Sequence, residues 1–137
     1  MPKIRKLQIG DEKRLIPLFK TLAGEEVTID SVALIADQNV ICLVVENEEE
    51  LIGFGSMIIY RVALDGEVAR IEDVVIAENQ QGRGFGKMLT LKLLEIAKER
   101  KIKKISLTTN PKRIAAHKLY ESVGFIKLET DTFILSL

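Results

Sequence analysis

The stretch Gln80–Lys87 reads QQGRGFGK and places glycine at positions 82, 84 and 86. Each glycine inside a helix or strand costs roughly 0.5–1 kcal/mol relative to alanine, so glycines at every second position indicate a turn. A β-rich run, Val68–Ile76, precedes this turn, and apolar residues recur at helical spacing after it, up to about Arg100. The pattern predicts a strand, a glycine-rich turn and an amphipathic helix in succession.

The glycine-rich turn has two physical explanations, and the spacing leaves both open. Free amides at the start of a helix, next to glycines that let a ligand come close, form an anion site suited to phosphate. The alternative is a tight strand-to-helix connection that binds nothing.

Three known glycine motifs fit these residues poorly. The P-loop requires glycine where Gln81 stands and serine or threonine where Met88 stands, and the spacing G-x-G-x-G is not the dinucleotide fingerprint. The segment Arg83–Gly86 matches the opening of the RNA-recognition motif RNP1, but that motif needs aromatic residues where Lys87–Thr90 follow. RNA recognition is therefore not favoured.

The first half of the chain predicts two helices and an antiparallel hairpin. A first strand over Lys3–Ile9 leads into a helix in which Pro17 is expected to cause a kink or a delayed start. Thr28 is predicted to cap a second, short helix. The runs Val40–Glu46 and Leu51–Tyr60, joined by an acidic turn, predict the hairpin.

The second half of the chain predicts the end of a mixed sheet. Ile105–Thr109 predicts a short strand, and Asn110 followed by Pro111 predicts the cap and first position of another helix. Gly124 is expected to end that helix in a left-handed conformation, and Phe125–Leu135 predicts a final strand. The order β-α-α-β-β-β-α-β-α-β predicts one α/β domain over residues 1–137.

Composition limits the classes of function. Twenty basic residues balance twenty acidic ones, so no global charge favours nucleic acid or an anionic membrane as a partner. Cys42 is the only cysteine and His117 the only histidine, so no metal site of these ligands is expected, and Cys42, inside an apolar run, predicts a buried thiol. No stretch approaches the roughly 18 apolar residues of a membrane span, and no signal core is recognised, so a cytoplasmic location is expected.

Three segments, in order, resemble the GNAT superfamily, the Gcn-type N-acetyltransferases. Gln81–Gly86 matches its Q/R-x-x-G-x-G/A signature, Ile71–Ile76 (IEDVVI) resembles its central strand, and Ala115–Phe125 (AAHKLYESVGF) resembles its closing helix. Within the superfamily, the Glu-Asp pair of IEDVVI is similar to glucosamine-6-phosphate acetyltransferases. The segment Thr108–Tyr120 is similar to aminoalkylphosphonate acetyltransferases.

The resemblance implies acetyl-CoA as cosubstrate and a mixed, mostly antiparallel sheet with splayed central strands, flanked by helices. It places the CoA pyrophosphate on the amides of the glycine-rich turn and the pantetheine arm along the central strand. A bulge in that strand would aim an amide at the thioester carbonyl. The residues implied in cofactor binding are Val74, Val75, Ile76, Gln81, Gly82, Arg83, Gly84, Phe85, Gly86, Lys87, Asn110 and His117.

Two side chains are implied in catalysis. Tyr120 matches the family tyrosine that protonates the departing CoA thiolate, and with an ordinary pKa of about 10 it is protonated at neutral pH; its alternative role is packing beside Phe125. Glu72 is the candidate general base, and its alternative role is an ion pair with Arg70. Asp73 is expected on the opposite face of the sheet, because side chains alternate along a strand.

The implied function is transfer of an acetyl group to the primary amine of a small molecule by direct attack in a ternary complex. The acceptor is undefined, because the segments expected to select it, roughly Leu15–Asp37 and Tyr60–Arg70, carry no recognisable substrate motif. A protein or peptide amine acetyltransferase and a non-catalytic acetyl-CoA sensor are the alternatives. The final strand is a candidate for pairing across a homodimer.

Overall fold

Alternating apolar residues form a five-stranded sheet in the computed structural model, which describes residues 1–137. The strands lie in chain order, and all neighbours are antiparallel except the last pair, which is parallel. The predicted hairpin and the mixed sheet are confirmed. The strands are β1 (Lys3–Lys6), β2 (Val40–Asn47), β3 (Glu50–Val62), β4 (Gly66–Ile76) and β5 (Ile105–Ser106).

Four α-helices cover the two faces of this sheet. A short 3-10 turn, Glu78–Gln80, lies between β4 and the third helix. No helix of the protein is both long enough and apolar enough to cross a membrane. The helices are α1 (Glu12–Ala23), α2 (Ser31–Ala36), α3 (Phe85–Glu99) and α4 (Ile114–Ser122).

Each face of the sheet has its own apolar core. Leu89 and Leu93 of α3 are fully buried against one face, and Leu15 and Leu18 of α1 are buried against the other. Burial of one such side chain stabilises the fold by about 1.5–3 kcal/mol. The two cores hold β3 and β4 between α1 and α3, and the second half of β4 carries the candidate site.

Two details of the first helices differ from the prediction. Pro17 lies inside α1 but does not delay it, since the helix begins at Glu12. Thr28 does not cap α2. That helix is capped by Asp30, whose carboxylate accepts a hydrogen bond from Ala33 N at 3.0 Å. A carboxylate is a strong cap for a helix amide, which explains the later start.

The helix predicted from Asn110 and Pro111 also begins later. Asn110 Oδ1 accepts a hydrogen bond from Lys112 N at 2.9 Å, and Asn110 O accepts from Arg113 N at 2.9 Å. These bonds close a turn before α4, whose first residue is Ile114. Asparagine favours both helix caps and such turns, and here the turn forms. Gly124 has the expected left-handed conformation, with φ 106°.

The predicted final strand, Phe125–Leu135, is absent. Residues 125–137 form no helix or strand, and from residue 126 onward every residue is exposed. A strand requires a hydrogen-bonded neighbour, which local sequence cannot supply. The outer edge of β5 is therefore unpaired.

Candidate active site

The second half of β4 contains a bulge. Ser56 of β3 pairs with Glu72 of β4, whereas Phe54, two residues earlier on β3, pairs with Val75, three residues later on β4. β4 therefore has one residue more than β3 across this interval. Asp73 lies in the interval with φ 54°, a left-handed conformation that is uncommon for residues other than glycine.

The bulge shifts the side chains that follow it by one position. Glu72 and its partner Ser56 lie on the α1 side of the sheet, since Ser56 also pairs with Cys42, which packs in the α1 core. Strict alternation would then place Val74 on the α1 side. Instead Val74 packs against the α3 core and Val75 in the α1 core.

Strict alternation would place Asp73 and Glu72 on opposite faces of the sheet, but the bulge interrupts that alternation. Both side chains line one pocket. The charge of Asp73 also acts on Cys42 of the α1 side, where burial, and secondarily that charge, raises the pKa of the thiol to about 11. The left-handed backbone at Asp73 brings two neighbouring carboxyl groups together. Cys42 is buried, as the sequence predicted.

The strands β4 and β5 are paired over only two residues each. Ala69 pairs with Ile105 and Arg70 with Ser106, and no pairing follows. The predicted strand Ile105–Thr109 is short because its last three residues separate from β4. This confirms the predicted splay of the central strands.

Backbone groups of β4 face the resulting gap. Ala77 N donates to Ile52 O of β3 at 2.9 Å. Because the direction of backbone groups alternates along a strand, those of Val74 and Ile76 point away from β3, toward the gap. The Ile76 carbonyl accepts a hydrogen bond from Gln81 Nε2, and the other backbone groups on this side can bond an extended ligand as a neighbouring strand would.

A pocket of about 180 Å³ opens at this gap. It combines two carboxyl groups, a phenol, a guanidinium group and two threonine hydroxyls. Thr109 Oγ1 is buried without a hydrogen-bond partner. The lining residues are Leu22, Ile71, Glu72, Asp73, Val74, Leu107, Thr108, Thr109, Arg113 and Tyr120.

Tyr120 is positioned by α4 and by an aromatic neighbour. Its ring meets that of Phe125 edge to face, with centroids 5.7 Å apart, as the sequence suggested. Burial raises the pKa of the Tyr120 phenol, and the nearby Arg113 cation opposes this shift only partly. The phenol is therefore protonated at neutral pH and can donate a proton inside the pocket.

The two carboxyl groups of the pocket have different partners. Glu72 forms an ion pair with Arg70, the alternative role considered from the sequence, and Arg70 Nη2 also donates to Thr108 Oγ1 at 3.2 Å. Asp73 forms no ion pair. Its pKa is raised by partial burial and by the charge of Glu72. Asp73 therefore keeps its proton to a higher pH than an ordinary aspartate does.

The three glycines of the turn differ in whether their backbone conformation requires glycine. Gly82 and Gly84 have φ of 78° and 88°, and open space surrounds the position where each would carry a Cβ. Their conformation requires glycine, and their surroundings leave room for a ligand. Gly86 has no such backbone, and a Cβ there would lie 3.5 Å from Leu119, an ordinary contact.

The amides at the beginning of α3 are available to an anion. Met88 N is the first amide of the helix to donate to a backbone carbonyl, that of Gly84 at 3.0 Å. The amides before it have no backbone acceptor, which is the usual condition of a helix N-terminus and suits a phosphate group. The open space and free amides fit the pyrophosphate of the cosubstrate that the resemblance implies.

The side chains of Gln81 and Arg83 form hydrogen bonds within the turn and next to it. Gln81 Nε2 donates to Ile76 O at 3.1 Å, and Arg83 Nη1 donates to Gln80 Oε1 at 2.8 Å. The Arg83 guanidinium also lies 5.8 Å from the Phe85 ring centroid, within reach of a cation–π contact. These contacts give Gln81 and Arg83 a structural role whether or not a ligand binds.

Asn110, in the loop after β5, and His117, in α4, form a pair. His117 Nε2 lies 3.1 Å from Asn110 O, so α4 fixes the loop that follows β5. Neither residue lines the pocket that contains Tyr120.

Sequence reasoning missed the joint placement of Asp73 with Glu72, and it missed Leu22 and Arg113 as pocket residues. The two adjacent acidic residues can be seen in the sequence. The bulge that brings them together depends on pairing with β3, so the local sequence does not indicate it.

Comparison with known proteins agrees with this geometry. The sequence model of the acetyltransferase (GNAT) family matches residues 11–125. The rice (Oryza sativa subsp. japonica) protein named "Probable glucosamine 6-phosphate N-acetyltransferase 2" is 31% identical over 91% of this chain and 82% of its own. N-acetylaspartate synthetase of Xenopus tropicalis is 39% identical over 44% of this chain, which spans only 22% of that relative.

A solved structure supports the same assignment. An acetyltransferase of Trypanosoma brucei superposes with a TM-score of 0.83 at 26% identity, and the match covers 100% of both chains. The family match extends over most of the sequence and includes the bulged strand, the glycine-rich turn and Tyr120. The protein is therefore an N-acetyltransferase enzyme that belongs to the GNAT family.

Proposed function

We propose that residues 1–137 act as one domain that transfers an acetyl group from acetyl-CoA to the primary amine of a small molecule. The amine attacks directly while both substrates are bound. The observation that carries this proposal is the meeting of Tyr120, Glu72 and Asp73 in one pocket at the gap between β4 and β5. A proton donor and a proton acceptor thus line the same pocket.

We infer that three parts of the chain hold acetyl-CoA. The amides of Gln81–Lys87 would hold the pyrophosphate, since the glycines leave room and all of these amides are free except that of Gln81, which donates to Glu78 O at 3.4 Å. The backbone of Val74–Ile76 would pair with the pantetheine arm, and Val75 would support it from the α1 core. Asn110 and His117 would contact the cofactor from the loop and helix beyond β5.

Tyr120 would protonate the departing thiolate. The amine forms a bond to the acetyl carbon, the carbon–sulfur bond breaks with its electron pair on sulfur, and the phenol supplies the proton. The raised pKa of the phenol keeps that proton in place until the thiolate forms. A positioned acid of this kind accelerates such a step by about 10²–10⁴-fold.

A pocket carboxylate would accept a proton from the substrate ammonium group. The resemblance assigns this role to Glu72, directly or through water. Asp73 is a second candidate, favoured by its raised pKa and by the absence of an ion pair, whereas Glu72 is engaged by Arg70. Both carboxylates also attract the cationic amine before it is deprotonated.

The charges of the pocket support a small acceptor that carries an anionic group. Arg113 lines the same pocket as the carboxylates, so an amine bearing a phosphate would meet charges of both required signs. The name of the rice relative describes an amino sugar phosphate as that protein's substrate. A pocket of about 180 Å³ suits part of a small molecule of this kind.

The acceptor class is tested by a thiol-release assay with acetyl-CoA. The panel contains amino sugars with and without phosphate, aminophosphonates, polyamines, amino acids and peptides. We expect release with a phosphorylated or phosphonylated small amine, and at least tenfold less with its uncharged analogue. Release only with peptides would favour the protein acetyltransferase alternative. Binding of acetyl-CoA without release for any acceptor would favour the sensor alternative.

A further inference from the structure

Ser56 is one of four buried residues with a polar or charged side chain, and it lies on β3 beside the bulge of β4. Its side chain is turned to that bulge, since Ser56 Oγ donates a hydrogen bond to Glu72 O at 2.9 Å. The residue is 5% exposed and does not line the pocket. A buried hydroxyl is unfavourable unless it is hydrogen-bonded, so this bond is the reason that serine fits here.

The bond from Ser56 fixes the backbone at the point where the bulge begins. The Glu72 carbonyl belongs to the planar peptide group that joins Glu72 to Asp73, so holding the oxygen holds the whole plane. The next backbone rotation is φ of Asp73, which is 54°. A residue with a Cβ is disfavoured in this left-handed conformation and keeps it only where its surroundings impose it. The Ser56 hydroxyl is one such constraint.

The residue before Ser56 makes room for the bulge. Gly55 has no partner in the register of β3 with β4, and it lies across from the extra residue. A Cβ on Gly55 would lie 3.0 Å from Leu89 Cδ2 and 3.5 Å from Val74 Cγ2. Val74 is the side chain that the bulge brings to the α3 core. β3 therefore leaves space for the bulge at Gly55 and fastens it at Ser56.

Loss of the Ser56 hydroxyl would remove this donor from the Glu72 carbonyl inside the sheet. An unpaired buried carbonyl is unfavourable, so the bulge would lose part of its advantage over regular pairing. Regular pairing would shift the side chains that follow Glu72 by one position, each to the opposite face. Displacement of a reacting group by about 1 Å can slow a reaction by about 10²-fold.

We propose that Ser56 is a positioning residue for acetyl transfer. Its hydroxyl holds the Glu72–Asp73 peptide group in the bulged conformation and thereby keeps both carboxyl groups in the pocket with Tyr120. Ser56 acts through β4, because it lies outside the pocket. Its effect on the reaction rests on the proposed function, whereas its effect on the backbone of Asp73 does not.

The first test reads the backbone of Asp73 by nuclear magnetic resonance. A residue with positive φ has its own amide proton close to its Hα, which gives a strong nuclear Overhauser effect between the two. We expect this signal for Asp73 in the wild type and in Ser56→Thr, which keeps a hydroxyl, and its loss in Ser56→Ala. The matched control is Ile41→Val, which removes a buried methyl group from the neighbouring strand β2. A strong Asp73 signal that persists in Ser56→Ala would overturn the proposal.

The second test separates the rate from the binding of acetyl-CoA. Thiol release is measured with glucosamine 6-phosphate as the acceptor, and acetyl-CoA affinity by calorimetry. In Ser56→Ala we expect kcat to fall by about tenfold or more, because the pocket groups are displaced, and the affinity to change less than about threefold. Ser56→Thr should recover at least about half of the wild-type kcat, and Ile41→Val should retain it.

The outcomes distinguish this proposal from the proposed function. A kcat of Ser56→Ala within about twofold of the wild type, or a Ser56→Thr variant no faster than Ser56→Ala, would contradict the positioning role. An absence of thiol release in the wild type would count against the proposed acceptor class. The Asp73 signal would then decide on Ser56, since it requires neither substrate.

Discussion

Tyr120 is the residue whose chemistry the proposed reaction needs most. The Tyr120→Phe variant keeps the ring that packs on Phe125 and removes only the hydroxyl. We expect kcat to fall by about 10²-fold or more, since a general acid contributes about 10²–10⁴-fold, while the affinity for acetyl-CoA changes less than threefold. Steady-state kinetics with calorimetric binding separate the two quantities. An unchanged kcat would remove Tyr120 from the reaction.

The pH dependence distinguishes the two candidate bases. A base works only when deprotonated, so kcat/KM falls as the pH drops through its pKa, and the pKa of Asp73 is raised by burial and by Glu72. If Asp73 is the base, Asp73→Asn abolishes this acidic limb and most of the activity, whereas Glu72→Gln shifts the limb to lower pH. The opposite pattern would assign the role to Glu72. Full activity of both variants would exclude both carboxylates.

The raised pKa of Asp73 also predicts a stability effect. A carboxyl group whose pKa is higher in the folded state stabilises the fold at low pH, and this contribution is lost as the pH rises through the folded pKa. The Asp73→Asn variant should therefore have a higher free energy of unfolding than the wild type at pH 7. Urea unfolding measures it, and a less stable variant at pH 7 would contradict the assignment.

The conformation of Gly84, in the glycine-rich turn, determines how α3 begins. Gly84 has φ 88° just before α3, and alanine in that conformation costs about 1–2 kcal/mol. We expect Gly84→Ala to weaken acetyl-CoA binding by about tenfold, because the strained turn no longer holds its free amides in place. Gly24→Ala is the matched control, since Gly24 ends α1 with φ 82° and equally open surroundings. Equal affinities for the two variants would argue against the turn as the phosphate site.

The contact of α1 with β1 and β2 is held by a network of charges. Arg5 binds Asp11 through two hydrogen bonds of 2.8 and 3.0 Å and also contacts Glu46, which Arg14 approaches at 2.9 Å. Hydrogen bonds from Arg5 and then Arg14 lower the pKa of Glu46 to about 2, and Arg5 lowers that of Asp11. These groups add stability above their unfolded pKa values, near 4, that is lost as the pH falls toward 2.

The Glu46→Gln variant tests this network. Its free energy of unfolding should depend less on pH between about 4.5 and 2 than that of the wild type, because one titrating partner is gone. Urea unfolding across that range measures the slope. Glu67→Gln is the control, since Glu67 lies 4.0 Å from Arg61 on the exposed surface. If the free energy of unfolding of Glu46→Gln fell as steeply with decreasing pH as that of the wild type, the result would contradict a stabilising role of this network.

Local patterns predicted most of the elements correctly. The hairpin, β4 and α3 follow from runs of apolar residues with clear periodicity and from the glycines between them. The starts of α2 and α4 were misplaced because several polar residues competed for each cap, and local sequence does not decide between Asp30 and Thr28. The bulge at Asp73 could not be predicted from the local sequence, for another reason. It exists only through the register of β4 against β3.

At the scale of the whole molecule, the predicted fold class and family are confirmed, and the last strand is not. Phe125–Leu135 has the composition of a strand, but a strand forms only where an edge receives it. The same limit applies to the site, where the glycine-rich turn and Tyr120 were visible from a family resemblance. The pocket that joins Tyr120 to residues of β4 and to those that follow β5 depends on the splay of two strands far apart in the chain.

The central claim is that the gap between β4 and β5, with the turn beside it, binds acetyl-CoA for acetyl transfer. Calorimetric titration of acetyl-CoA into the wild-type protein tests it most directly. We predict one binding site per chain with a dissociation constant in the micromolar range, weakened about tenfold in Gly84→Ala and retained in Gly24→Ala. Absence of heat and of saturation with millimolar acetyl-CoA would contradict the account and every residue role assigned to that site.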